Sequence, residues 1–215
     1  MSVTAKICGI NDPEAMRAAI SGGASHVGFV FYPLSPRAVN PGEAMGLASV
    51  VPERVQKVGL FVDPEDDQID KTLFVVKLDF LQLHGQESPE RVSEIAKKSG
   101  IPIIKAIGIR KKSDLKKIIN YEEVVDYLLL DAKPESEQHL PGGNGIVFDW
   151  EILKDFNIKK PWFLAGGLNS ENVSSAISIA GANMVDVSSG VEFEPGNKSI
   201  KKISSFVRSV NEYNK

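Results

Sequence analysis

Short apolar runs of strand length recur along the chain with helical patterns between them. In order they are VTAKIC from Val3, HVGFVF from His26, VQKVGLFV from Val55, FLQLH from Phe80, PIIKAIGI from Pro102, DYLLLD from Asp126, PWFLAGG from Pro161 and NMVDVSS from Asn183. Most are dense in Val, Ile, Leu and Phe rather than strictly alternating. Strands covered on both faces read this way, as in a parallel sheet, because neither side meets water. Between them, Ala44, Leu47, Ala48 and Val51 fall at i, i+3, i+4 and i+7, and Val173, Ala176, Ile177 and Ala180 repeat that spacing. Each set gives a helix one apolar stripe. Asp12, Asn40, Asp63 and Ser88 each precede a proline, which sets a capping side chain ahead of a first-turn residue that needs no N–H partner. Gly22, Gly100 and Gly181 stand where helices should end.

Strand then helix, eight times over, predicts an α/β fold: a closed (β/α)8 barrel of the TIM type, with residues 1–215 as a single domain. A chain of 215 residues falls at the short end of that range. An open doubly wound sheet is the competitor, but no G-x-G-x-x-G follows the first strand, where a dinucleotide fold would want it. No linker or low-complexity tract marks a second domain. The longest irregular piece is AKPESEQHLPGGNG, residues 132–145, between the sixth strand and the next helix. Loops of that length in compact domains are usually functional or disordered.

Composition changes this picture little. Hydrophobic residues make up 42% and charged residues 25%, ordinary for a globular chain. One cysteine cannot form an internal disulfide, and no apolar h-region follows a basic start, so a reducing cytoplasm is the expected setting. No apolar run approaches the roughly 18 to 20 residues that cross a bilayer. A net charge of -3 and a pI near 5.7 leave no electrostatic footprint for nucleic acid. The one basic cluster, RKKSDLKK at 110–117, reads as the solvated face of a short helix whose apolar side is Leu115, Ile118 and Ile119.

Candidate chemistry follows from the fold, because barrels of this kind work at the carboxyl ends of their strands. Cys8, Arg37, His84, Asp131, Gly166, Gly167, Asp186, Ser188, Ser189 and Gly190 all lie at or just after such ends. AGGL and SSG, after strands seven and eight, read as a phosphate cradle of exposed backbone N–H groups. Asp131 is either a cap for the loop after it or an acid/base group. Cys8 is either a small core residue or a proton acceptor from carbon, for which its environment would have to lower the thiol pKa. Arg37 is a surface residue or a planar fork for a carboxylate. His84 is a strand-end hydrogen-bonding residue or a substrate-positioning one. Asp186 is expected to order the phosphate loop. No clustered His, Cys or carboxylate spacing points to a metal, and no cofactor is expected.

The ordered motifs KICGI from Lys6, GFVFYPLSPR from Gly28, VGLFV from Val58, QLHG from Gln82, GGNG from Gly142 with Phe148-Asp149-Trp150, LAGGL from Leu164 with Asn172-Val173, and VDVSSGVE from Val185 with Pro195-Gly196 together resemble the phosphoribosylanthranilate isomerases of tryptophan biosynthesis. The resemblance spans nearly the whole chain. It implies an Amadori rearrangement of N-(5-phosphoribosyl)anthranilate to 1-(2-carboxyphenylamino)-1-deoxyribulose 5-phosphate. It also implies Cys8 as general base, Asp131 as general acid and Arg37 as the holder of the anthranilate carboxylate. The chain departs from the family pattern at Asn144, at Asn11 and after Gly196, where Asn197, Lys198 and Ser199 stand. Small polar side chains at the first two positions touch loop contacts rather than the reaction, and the third affects the start of the last helix.

Three alternatives remain open at this point. Another phosphosugar isomerase or lyase on the same barrel would need a different base, for which Lys6 and Lys105 are available. A catalytically inactive phosphate-binding barrel would have dispensed with Cys8 or Asp131, and both are present. An interaction module would need an exposed apolar stripe, which the sequence does not show. Protein partners are not indicated.

Overall fold

The computed structural model describes residues 2–133, 142–143 and 145–215. The strands β1 (Thr4–Cys8), β2 (His26–Val30), β3 (Gln56–Phe61), β4 (Phe80–Leu83), β5 (Ile103–Ile109), β6 (Tyr127–Ala132), β7 (Trp162–Leu164) and β8 (Met184–Val187) close into one barrel in sequence order. Neighbours are parallel throughout, and β1 completes the ring by pairing with both β2 and β8. Each predicted apolar run supplies one of these strands, since only a closed parallel sheet wrapped in helices hides both faces of every strand.

Helices α1 (Pro13–Gly22), α2 (Pro41–Ala48), α3 (Asp66–Val75), α4 (Pro89–Ser99), α5 (Lys116–Tyr121), α6 (Val173–Ala180) and α7 (Ile200–Tyr213) form the outer ring. Asp12, Asn40 and Ser88 cap as expected, and Asn40 makes a reciprocal box with Glu43. Asp63 does not cap. It takes a left-handed φ of 44° and accepts the Gln86 N–H at 2.6 Å, tying the loop after β3 to the loop after β4, while α3 starts later behind Glu65. Gly100 and Gly181 end their helices in the left-handed conformation, but Gly22 is still helical and Gly23 takes that role. Leu115 and Ile118 are buried, whereas Ile119 is 61% exposed, because the segment opens with a 3-10 turn that shifts the apolar stripe. Between β6 and β7 the described residues contain one 3-10 turn, Trp150–Leu153, in place of the expected helix. Residues 134–141 and 144 of the long loop lie outside the described residues.

Two cores result from this architecture. The larger lies between strands and helices and takes in Val173, Ala176, Ile177 and Ala180 of α6. The smaller fills the barrel interior with Val58, Ile104, Ala106, Leu129, Phe163 and Ala165 over a base of Phe80, Tyr127 and Met184. His26 joins that base, its ring edge-on to Phe163 at 5.1 Å. The opposite end of the interior is left for Cys8, Val30 and Leu60. The β1–β8 seam is latched from outside, where the Asn214 side chain accepts the Val3 N–H at 2.7 Å and donates to the Val3 carbonyl at 2.9 Å. No helix among the described residues is long and apolar enough to cross a membrane.

Candidate active site

All eight strands point their carboxyl ends the same way, so side chains from distant parts of the sequence meet at one mouth. A cavity partly open to solvent is lined there by Cys8, Arg37, His84, Asp131, Gly166, Gly167, Asp186, Ser188 and Ser189, with Gln82, Tyr32, Leu60 and Val62 between them. Of the predicted site residues, Gly190 alone is not in the wall. It packs beneath the loop after β7, where a Cβ would run into the Leu168 carbonyl.

Cys8 is 4% exposed. Burial pushes its thiol up, the Lys6 ammonium opposes that, and the Asp186 carboxylate adds to it. The expected lowering is therefore not what the site shows: a thiolate here would lose its hydration, and the nearby cations offset only part of the loss. Lys6 has no exposed surface and donates to Asp186 at 2.8 Å. Burial pulls the lysine down, but Asp186 and Cys8 outweigh it and hold the ammonium above its usual value. Among the described residues, the hydrogen bond of the Asp186 side chain goes to Lys6.

Asp131 is 8% exposed. One carboxylate oxygen accepts the Ala132 N–H at 2.8 Å and the other stands 3.3 Å from His84 Nε2. Among the described residues its side chain meets the next residue's backbone and His84. His84 Nδ1 in turn meets Gln82 Nε2 at 2.9 Å.

Arg37 is only 5% exposed. Its Nε and Nη2 grip Glu192 in a bidentate pair at 2.7 and 2.8 Å, and Nη2 also donates to the Gly143 carbonyl at 3.1 Å. The surface reading of Arg37 fails on this burial. Glu192 opens a hairpin, β9 (Glu192–Glu194) and β10 (Asn197–Lys198). Lys198 Nζ also binds Glu192, at 2.7 Å, as well as the Ser188 carbonyl at 3.0 Å. Burial pulls Lys198 down, with Glu192 opposing it. Burial would raise Glu192, yet Arg37 and Lys198 hold it below the usual carboxylate range.

Gly166 and Gly167 take φ of 88° and 60°, turning the chain sharply at the end of β7. A Cβ on Gly166 would lie 2.7 Å from the Ala132 N. The N–H groups of these two glycines meet no protein acceptor among the described residues. Ser188 Oγ donates to the Cys8 carbonyl at 3.1 Å, which fixes the loop after β8 against the end of β1.

The two lysines that could have replaced Cys8 as base are otherwise engaged. Lys6 is an ammonium locked to Asp186. Lys105 gives its protons to Glu87 and to the carbonyls of Leu83, Gly85 and Ala106, and it lies outside the cavity wall. Sequence reasoning missed Gln82, Glu192 and Lys198. Gln82 was findable, because it precedes His84 by two positions and so shares its side of β4. Glu192 and Lys198 sit in a hairpin with no apolar period to place them.

The family model for N-(5'-phosphoribosyl)anthranilate (PRA) isomerase matches residues 5–209. A protein of that description from Paracoccus denitrificans is 51% identical over 207 residues, 96% of this chain and 96% of its own length. Phosphoribosyl anthranilate isomerase from Thermotoga maritima superposes with a TM-score of 0.88 at 39% identity, covering 98% of this chain and 99% of that one. A crystal structure of such an enzyme in complex with reduced 1-(o-carboxyphenylamino)-1-deoxyribulose 5-phosphate superposes at 0.84, with 37% identity and coverage of 98% and 99%. The closed barrel, the placement of its cavity and these likenesses converge: this chain belongs to the N-(5'-phosphoribosyl)anthranilate isomerase family and is an isomerase of tryptophan biosynthesis.

Proposed function

We propose that Cys8 and Asp131 divide the reaction between them as base and acid on a substrate held across the cavity. Asp131 gives a proton to the furanose ring oxygen as the anilino nitrogen lone pair moves in to form C=N and the C1–O bond breaks. The cationic Schiff base that results lies beside Cys8. A positive charge there favours the thiolate that burial otherwise disfavours, and the Lys6 ammonium adds to it from below. The thiolate then takes the C2 proton, and the C–H electron pair neutralises the iminium to give an enolamine that tautomerises to the ketone. The acid and the base thus flank the sugar, as proton transfer in both halves of the rearrangement requires.

The remaining groups fit the rest of the substrate. The N–H groups of Gly166 and Gly167 with the loop Ser188, Ser189 and Gly190 suit the phosphate. Arg37, fixed by Glu192 along one edge, keeps Nη1 for the anthranilate carboxylate, and His84 orients Asp131 toward the sugar. Asp186 keeps Lys6 charged. A free thiol as base suits a reducing cytoplasm.

One observation carries this reading: Cys8 and Asp131, 123 positions apart in sequence, open onto the same cavity. General acid and base groups typically contribute about 10²- to 10⁴-fold each. Cys8→Ala and Asp131→Asn should each lose turnover in that range, followed as disappearance of phosphoribosylanthranilate fluorescence, with the circular dichroism of the wild type. Near-wild-type turnover in either folded variant would overturn the assignment.

A further inference from the structure

Gln82 is fully buried and faces the cavity floor beside His84. Its Nε2 stands 2.9 Å from His84 Nδ1, and its Oε1 has no hydrogen-bond partner among the described residues. Buried polar atoms are almost always paired, so an orphan beside a reacting group asks for a reason. An amide offers one. Turning end for end about χ3, it presents either a donor or an acceptor to the same ring nitrogen.

The two orientations impose different protonation on the residues beyond. With Nε2 facing the ring, Nδ1 must accept, so the neutral imidazole carries its proton on Nε2. That N–H points at Asp131 Oδ2, 3.3 Å away, and suits a carboxylate. With Oε1 facing the ring, Nδ1–H donates to it. His84 Nε2 is then free to accept from a protonated Asp131, or to hold the proton itself against the carboxylate. The first arrangement matches a spent acid and the second a loaded one.

We infer that Gln82 is a positioning residue for the acid of the reaction, its amide turning between two pairings with His84 that match the loaded and the spent states of the His84–Asp131 pair. This rests on Asp131 being the acid. Among the described residues, Lys6, Asp186, Arg37, Asp63 and Lys105 around the pair have partners of their own, which leaves Gln82 as the adjustable neighbour. From β1 and β8 come Lys6 and Asp186, bound to each other, with the Cys8 thiol above them. Arg37, from the loop after β2, is held by Glu192. Asp63 after β3 is bonded to the Gln86 N–H, and Lys105 of β5 is bonded to Glu87 behind His84. Lys133, beyond Asp131 on the same chain, packs over Gly108.

The test is the pH profile of kcat/KM in Gln82→Met and Gln82→Glu, read together with 15N spectra of histidine-labelled protein in which His84 is assigned by its loss in His84→Asn. Met cannot accept from Nδ1–H, so the loaded pair loses a partner. The alkaline limb should then move down by about one pH unit, a tenfold loss on that limb, with KM changed less than about twofold. Glu only accepts, so the limb should move up by a similar amount. In the wild type the His84 ring should carry its proton on Nε2 at pH values above the limb. Limbs unmoved in both variants, or moved the same way in both, would overturn the proposal even if turnover fell. So would a wild-type ring protonated on Nδ1 above the limb, a measurement that needs no variant of Gln82 to fold. Near-wild-type turnover of Asp131→Asn would instead remove the acid assignment, and the tautomer spectrum would still report what Gln82 does to His84.

Discussion

Gly142 approaches the His84–Asp131 pair so closely that a Cβ there would lie 2.7 Å from His84 Nε2 and 2.8 Å from Asp131 Oδ2. Hydrogen is the only side chain that lets this loop lie over the acid without prising the two groups apart. Gly142→Ala should therefore lower turnover by about tenfold or more while leaving the melting temperature within about 2 °C. A 1 Å misplacement at a reacting group is itself worth up to about 10²-fold. Steady-state kinetics beside a thermal melt checks both halves, and unchanged turnover would show that the loop yields. At this scale the sequence was partly legible. Strand-end position put Cys8, His84 and Asp131 in one place, because a parallel barrel leaves them no other. It could not show that burial raises the Cys8 thiol, which depends on how deeply β1 is covered, nor that Asp186 pairs with Lys6.

Elements meet through Glu87. Its carboxylate accepts the N–H groups of Asp63 and Gly85 and the ammonium of Lys105, so one buried side chain joins the loop after β3, the loop after β4 and the middle of β5. Both partners are almost wholly buried, with side-chain exposures of 3% for Lys105 and 1% for Glu87. Removing one charge strands the other, which typically costs about 3–5 kcal/mol. Lys105→Met should lose stability on that scale in urea unfolding, and adding Glu87→Gln should recover part of it. A double variant no better than the single would show that the backbone bonds, not the ion pair, hold these loops. Apolar periodicity placed every barrel strand and the stripe of α6, where burial alone decides. It failed at Asp63, whose carboxylate bonds across loops, and in the β9–β10 hairpin, where Glu192 and Lys198 are buried through one another and no period records it.

The whole molecule carries a pH liability at the end of the barrel away from the cavity. His26 sits among Phe80, Phe163 and the inner ends of the strands, and burial, with Lys6 nearby, pulls its pKa down to about 4. An unfolded histidine titrates near pH 6.5, so between there and about pH 4 the unfolded chain binds a proton that the folded one refuses. Stability from this residue is complete above about pH 6.5 and falls as the pH drops through that window, by at most about 3 kcal/mol. His26→Asn should flatten the dependence of unfolding free energy on pH across the same interval. A slope equal to wild type would mean the ring is protonated in the native barrel.

The Asn214 latch on Val3 has a consequence of its own. A carboxamide there occupies both hydrogen-bonding groups of one residue at the head of β1, much as a neighbouring peptide would. The β1–β8 pairing that closes the ring is thereby backed by a tie from the end of α7 across the covalent gap. Load applied at either terminus is shared by the seam, so the eighth unit cannot peel away without also unfastening the first.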